Sequence, residues 1–568
     1  MPRHANISNM FWADRIAGEI LKRYEEEISE GKPIIIRDEK TLSGRVHIGS
    51  MRGVAIHGAI SEALDKRGIK NIFYYEFNDF DPMDGIPTYL DQEKYAQYLG
   101  MPLKNIPSPE PGFKNFAEFY GAELEGVIEG SGFHPTIYRS SELYLEGKMD
   151  GVIREALEHA SDIRRIYKEV SGGSREDSWL PLSVVCPQCG KLSTTRATDF
   201  DGETVAVECR DLEWVKGCHF SGRISPFGGK AKLPWKVEWA AKWKVMQVMV
   251  EGAGKDNSTK GGSRDVARHI SEEVFKYDTP FDAPYEFFLV GGQKMASSKG
   301  RGSSAKEIYD LVPPKIFRLA LLGKDINQAF NFDPEGDTIP VLFDQYDKLA
   351  EGYKVNKDDD YAKLFEYIHP AAEVPAKNSS GSPQNFSRIL PPSDVFLPRF
   401  SQVAFLAQMP HLDFLKEMEG LKAMSNHDST ARSAEGGYRG SALTEADKEE
   451  ANERKEYALR WIEAYAPGKF VFKLQNETPD AAKNLSDVQK KALSMLKDFI
   501  SASPSMPSGE DLHAKLHALK EEADISPAEL FQALYLSFLG KGYGPKAGWF
   551  LSVLDRDFVL KRLEEVTV

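Results

Sequence analysis

At 568 residues the chain exceeds what a single hydrophobic core organises, so three or four domains are expected. With 41% hydrophobic and 28% charged residues it has a globular composition. A net charge of -14 excludes nucleic-acid binding by the whole surface but leaves room for a local basic groove.

The first thirty residues alternate charged and apolar positions at helical spacing, unlike the uninterrupted apolar core of a signal peptide. Residues 12–29 read as an amphipathic helix closed by "EGKP". "PIIIRD" is a short apolar run bounded by turn residues, as expected of a parallel strand covered on both faces. "TLSGRVHIGS" follows, and then a helix through "MRGVAIHGAISEALDK" with Gly68 as its C-cap. "NIFYYEFND" reads as a second buried strand, completing a right-handed βαβ unit of the nucleotide-binding kind. From about 80 to 235 proline-rich loops precede helical segments at 116–130 and 142–170, which reads as an insertion between two halves of a sheet. "VEWAAKWKVMQVMVEGAGKDN" and "YEFFLVGGQKMASSKG" return to the strand-and-glycine style and form the second half. Residues 371–397 are rich in Ser, Pro and Asn and read as a linker, and nearly everything beyond is helical in period. No stretch reaches the roughly 18 apolar residues of a membrane span, so a cytoplasmic protein with no membrane partner is expected.

Three stretches carry chemistry. The cysteines fall at 186, 189, 209 and 218, with His219 adjacent, too few and too local for a disulfide framework. A CxxC followed by a looser second pair suits a structural Zn²⁺ knuckle spanning 186–219, with Cys218 or His219 as fourth ligand. "TLSGRVHIGS" places His47 where a strand gives way to a helix, and a helix N-terminus offers free N–H groups and partial positive charge to a phosphate. A surface histidine on a tight turn is the plain alternative. "GGQKMASSKGRG" carries Lys294 and Lys299 among glycines and serines, without the spacing of a P-loop. Such lysines can neutralise charge developing on a polyphosphate, although a solvated turn has the same composition.

Taken together, the stretches His47-Ile48-Gly49-Ser50 and Lys294-Met295-Ala296-Ser297-Ser298-Lys299 resemble the HIGH and KMSKS motifs of class I aminoacyl-tRNA synthetases. "FWADRIAGEI", "SGRVHIGSMR", "KLPWKVEWAAKW", "GKDNSTKGGSRD", "KMASSKG" and "LGKGYGPKAGWFLSVL", in that order from about residue 10 to the C-terminus, narrow the resemblance to the class I lysyl-tRNA synthetases. The resemblance implies an α/β fold: a Rossmann-type parallel sheet with a zinc-bearing insertion, then an all-α anticodon-binding domain. Its boundaries are expected at 1–80 and 235–300 for the two catalytic halves, and at 81–234 for the connective insertion. A stem-contact helical segment is expected at 301–370 and the anticodon-binding domain at 398–568.

The implied activity is ATP-dependent attachment of lysine to tRNA(Lys) through a lysyl-adenylate, with Mg²⁺ accompanying ATP, by an enzyme expected to be monomeric. His47, Lys294 and Lys299 are the expected catalytic groups. ATP would meet Ser43, Gly44, His47, Gly49, Ser50, Asp256, Lys294, Ser297 and Ser298, with Asp256 on the ribose by analogy with other acidic ribose ligands. The lysine pocket would draw on Glu39, Thr41, Glu76, Asp79, Trp235, Glu251 and Asn257. Besides Ser50, at the fourth position of the HIGH-like motif, three positions depart from the family pattern. Glu39 stands at a usual glycine, Asn257 replaces the histidine of "GKDH", and Ser297 takes the inner lysine position, with Lys299 expected to substitute. A glutamyl-type class I synthetase and a non-catalytic tRNA-binding paralogue are the alternatives, separable by ATP–pyrophosphate exchange with each amino acid.

Overall fold

The computed structural model describes residues 11–292, 304–357, 359–369, 390–391, 394–409, 412–425 and 442–568. They belong to two compact units, Met1–Asp333 with Lys348–Leu390, and Pro334–Asp347 with Pro391–Val568.

In the first unit the run of isoleucines opens strand β1, which continues through the charged residues to span Ile34–Thr41. It therefore carries Glu39 within the strand rather than after it. β1 pairs in parallel with β2 (Asn71–Asn78), and β2 pairs in parallel with β3 (Thr136–Arg139). On the other side of β1, Val250 bridges both Ile36 and Phe281 in parallel, and Gly254 bridges Tyr285. The spatial order is thus β3, β2, β1, the 248–254 segment, then the 281–285 segment. The order reverses between β1 and 248–254, and open α/β sheets bind ligands beyond the carboxyl ends of strands at such a point. The stretch 81–234, read from sequence as an insertion, supplies β3 to this sheet. Four residues with a polar pattern at a sheet edge carry little periodic signal, which is why the strand was not foreseen.

Between β1 and β2 runs the helix Met51–Lys66, preceded by a 3₁₀ turn at Ile48–Ser50. Its first eleven residues are all buried, so it has no solvated stripe there. Gly53 lets it approach β1: a Cβ would lie 2.4 Å from Asp38 Oδ2 and 2.8 Å from the Tyr285 hydroxyl. His57 ties the helix to the sheet, its Nε2 accepting the Gly252 N–H at 2.8 Å. Thr195–Phe200, Val205–Cys209 and Ser221–Ile224 form a separate antiparallel sheet around the cysteines.

The second unit is helical in its described residues. Helices Asp487–Ala502, Gly509–Glu522, Pro527–Leu539 and Arg556–Thr567 enclose a core that includes Leu493, Leu516, Phe538, Phe550 and Leu563. Reciprocal caps, Ser486 with Gln489 and Ser526 with Glu529, start two of these helices at points the sequence marks. Among the described residues no helix is long and apolar enough to cross a membrane.

Candidate active site

Beyond β1 the chain turns through residues 42–50. Leu42 is held to the neighbouring strand by its N–H on Asn78 O at 3.3 Å, and Val46 and Ile48 are buried, which fixes the turn from below. His47, half-buried, is the N-cap residue of the 3₁₀ turn that leads into the helix. Gly44, Gly49, Ser43 and Ser50 share this turn. Ser304 forms an antiparallel bridge with His47, and the Ala305 N–H bonds Val46 O at 2.7 Å. Lys294, Ser297, Ser298 and Lys299 lie outside the described residues, but the first described residue after them is paired with the histidine turn. The short helix Lys255–Ser258, carrying Asp256 and Asn257, follows the 248–254 segment on the other side of the switch point.

Below the turn lies a buried charged cluster. Glu39, Glu76 and Tyr138 occupy one row across the sheet by strand register. Arg37, two residues before Glu39 on the same face of β1, reaches Glu76 and Glu251 at 2.7 Å each, Glu39, and the Tyr138 hydroxyl at 2.9 Å. The helix Trp235–Met246 covers this face. Lys242 pairs with Glu76 and, at 3.1 Å, with Glu238, while Lys232 pairs with Glu238 and, at 2.9 Å, with Asp81. Thr41 donates its hydroxyl to Asp81 at 2.6 Å. Trp235 stacks on Trp239 with centroids 5.4 Å apart and donates its indole N–H to Glu39 at 3.1 Å.

Burial and charge sort the candidate carboxylates. Burial alone would raise the pKa of Glu76, but Lys242 and Arg37 hold it well below the usual carboxylate range. Burial pushes Glu251 up to about 7, against the pull of Arg37, and its other oxygen accepts the Trp243 indole N–H. Asp79 is buried and also raised by burial, with the Ser141 N–H and hydroxyl at 2.9 and 2.7 Å. These three are taken up inside the chain. Glu39 and Asp81 retain 18% and 24% side-chain exposure, whereas the cluster's other charged side chains are at 4% or less. Trp235, 40% exposed, stands beside them. Sequence reasoning found Glu39, Thr41, Glu76, Glu251 and Trp235, which the fold brings together, and missed Arg37, Asp81, Lys232, Glu238 and Lys242. The available signal was Glu238 and Lys242 placed among three tryptophans at positions that a covered helix face would use.

In the cysteine region Cys186 and Cys218 sulfurs are 3.5 Å apart and those of Cys189 and Cys209 3.7 Å. All four lie within 4.8 Å of one another. Thr194 Oγ1 and the Cys218 N–H lie 3.2 and 3.3 Å from Cys209 Sγ, placing donors where a thiolate would sit. His219 is outside this cluster, its side chain 75% exposed and 3.9 Å from Asp211.

The family described as tRNA synthetases class I (K) matches residues 10–371, and the anticodon-binding domain family matches residues 441–567. A lysine–tRNA ligase of Methanosarcina barkeri is 30% identical over 573 residues, covering 98% of this chain and 97% of that protein. That of Archaeoglobus fulgidus is 29% identical over 557 residues, covering 98% and 99%. Among solved structures, a glutamate–tRNA ligase from Elizabethkingia meningosepticum is similar at a TM-score of 0.41 and 13% identity, covering 94% of this chain and 99% of that one.

Proposed function

Because the chain belongs to the class I lysyl-tRNA synthetases and attaches lysine to tRNA, we propose that the charged cluster behind Glu39 selects lysine and that the His47 turn activates it. In this activity the lysine carboxylate attacks the α-phosphate of ATP, giving lysyl-adenylate and pyrophosphate, and the terminal ribose of tRNA then takes the acyl group. Magnesium, when bound with ATP, neutralises charge on the polyphosphate. His47 donates to the phosphates from the start of its helix, where the dipole favours negative charge. Lys294 and Lys299, which lie outside the described residues, add positive charge to the same phosphates. Asp256 takes the ribose and Asn257 borders the amino-acid pocket. Catalysis is positional and electrostatic, with no covalent enzyme intermediate.

The observation that carries the choice of lysine is a charge imbalance. Arg37, Lys232 and Lys242 face Glu39, Glu76, Asp81 and Glu238, three cations against four carboxylates, with Glu251, raised to about 7 by burial, a fifth that is only partly ionised near neutral pH. The partly exposed carboxylates, Glu39 and Asp81, are where the excess negative charge meets an incoming ligand. An ammonium there gains an ion pair, while an acidic side chain is repelled. Glu39→Gln keeps the volume and removes the charge. It is expected to raise the lysine KM about tenfold, or roughly 1.4 kcal/mol of lost binding, with the ATP KM nearly unchanged. Steady-state ATP–pyrophosphate exchange measures both, and an unchanged lysine KM would reject Glu39 as the partner of the substrate ammonium.

The four cysteine sulfurs fit a structural Zn²⁺, since tetrahedral Zn–S bonds of about 2.3 Å set sulfurs roughly 3.8 Å apart, close to the 3.5 and 3.7 Å observed. Cys186, Cys189, Cys209 and Cys218 are the ligands in this reading, and His219 is not. Metal analysis is expected to find about one zinc per chain. Chelation is expected to speed amide exchange across 183–224, because a local knuckle loses the ligation that closes it. Full protection of that segment in metal-free protein would exclude the role.

A further inference from the structure

The histidine turn is held from outside by a neighbouring segment of the chain. Residues 85–92 run across the turn as a strap. The hydroxyl of Tyr89 accepts the N–H of Arg45 at 2.6 Å, and the Arg45 guanidinium lies 5.5 Å from the centre of the Tyr89 ring. At Gly44, whose φ is +149°, a Cβ would stand 2.7 Å from the Tyr89 hydroxyl and 3.0 Å from Pro87. The strap therefore rests directly on the turn's backbone, and only glycine admits it there. The strap is itself braced. The Gln92 amide donates to Pro87 O and Leu90 O at 2.9 Å each, and Asp91 caps the helix Gln92–Ala96. Beneath it lies the buried Tyr120, whose hydroxyl is close enough to that of Tyr89 to interact with it.

Arg45 also faces two carboxylates, Glu123 and Glu307, at 3.8 Å each. Glu307 completes the capping box of the helix Ala305–Asp310 with Ser304, and Ser304 is the residue bridged to His47. Strap, turn and helix N-terminus thus meet within two residues of His47. The exposed ion pairs contribute little by themselves. The backbone contacts, from Arg45 N–H to Tyr89 and from Ala305 N–H to Val46, set the geometry.

We propose that Tyr89 is a positioning residue for the activation step, its hydroxyl holding the Arg45 peptide so that His47 points at the phosphates. The proposal rests on the reading of His47 given above. Misplacing a reacting group by about 1 Å can cost on the order of 10²-fold in rate, so loss of one strut contact is expected to cost about tenfold. Tyr89→Phe keeps the ring against Arg45 and removes only the hydroxyl, with its contacts to the Arg45 N–H and to Tyr120. Because Tyr89 is 43% exposed, water can satisfy the released N–H, and the fold is expected to survive.

The test is ATP–pyrophosphate exchange with lysine by the full chain, with thermal unfolding of each variant. The expected result for Tyr89→Phe is a kcat about tenfold lower, lysine and ATP KM within about twofold, and an unchanged midpoint of unfolding. In a His47→Ala background the same change is expected to cost nothing further, because the group it positions is gone. A wild-type kcat for Tyr89→Phe would overturn the proposal, as would a loss that is additive with His47→Ala or one that follows a lowered midpoint. If His47→Ala itself retains the wild-type kcat, the reading of the turn fails. If only Tyr89→Phe does so, the strut alone fails.

Discussion

His47→Ala is expected to lower kcat for ATP–pyrophosphate exchange by roughly 10²–10³-fold, the scale for removing one preorganised transition-state donor, or about 2.7–4 kcal/mol. The imidazole sits at the head of the 3₁₀ turn Ile48–Ser50, and in the function proposed above it faces the phosphates, whose negative charge increases as the carboxylate attacks. A donor aimed at that position acts more strongly on the transition state than on bound ATP, so KM for ATP and lysine should change far less than kcat. Stability should change little, because the turn is anchored by Val46 and Ile48 below it. Exchange kinetics separate the possibilities. A raised KM with an unchanged kcat would make His47 a ground-state binder and transfer the transition-state role elsewhere.

The parts of this arrangement that sequence reasoning reached were those with a local signature. An apolar strand, a glycine-flanked turn, a helix and a second strand follow from periodicity alone, and the cysteine spacing points to a four-ligand knuckle. Capping residues mark where Asp487–Ala502 and Pro527–Leu539 begin. The charged cluster was half legible. Its carboxylates near the strand ends were visible, but the cations that occupy them were not. Glu238 and Lys242 stand four apart on a helix, the spacing of an ordinary solvated pair, and the tryptophans beside them were the local sign that this face is covered and both are buried. Arg37 ends an otherwise apolar run, and nothing local says that three residues of the chain's own acids surround it. Asp81 lies in a loop of mixed composition, and its meeting with Thr41 depends on the return of the chain from β2. Long-range charge pairing of this sort has no period to read.

That burial makes Lys242 the position with the largest expected effect on stability. Lys242→Met retains the length of the side chain and its packing against the sheet but removes the ammonium from a site with no exposure. Glu76 would keep Arg37 and the Tyr138 hydroxyl, and Glu238 would keep Lys232 and the Tyr144 hydroxyl. Both would nevertheless carry buried charge less fully compensated, and removing one partner of a buried pair costs about 3–5 kcal/mol. With the remaining partners in place, the lower end of that range is expected, read as a lowered denaturant midpoint for the first unit. The pH dependence has a definite sign. Glu76 is held below its ordinary 4.5 in the folded chain, so its stabilisation is present above about pH 4.5 and is lost as pH falls toward the folded value. Without Lys242 part of that stabilisation is already missing. The gap between wild type and variant should therefore be widest near neutral pH and narrow below pH 4.5. Adding Glu76→Gln to Lys242→Met should recover part of the loss, because the double change removes the orphaned charge along with its partner. If Lys242→Met unfolds at the wild-type midpoint, or the double variant is no better than the single, then packing of the helix Trp235–Met246, and not its buried ion pairs, holds it over the sheet.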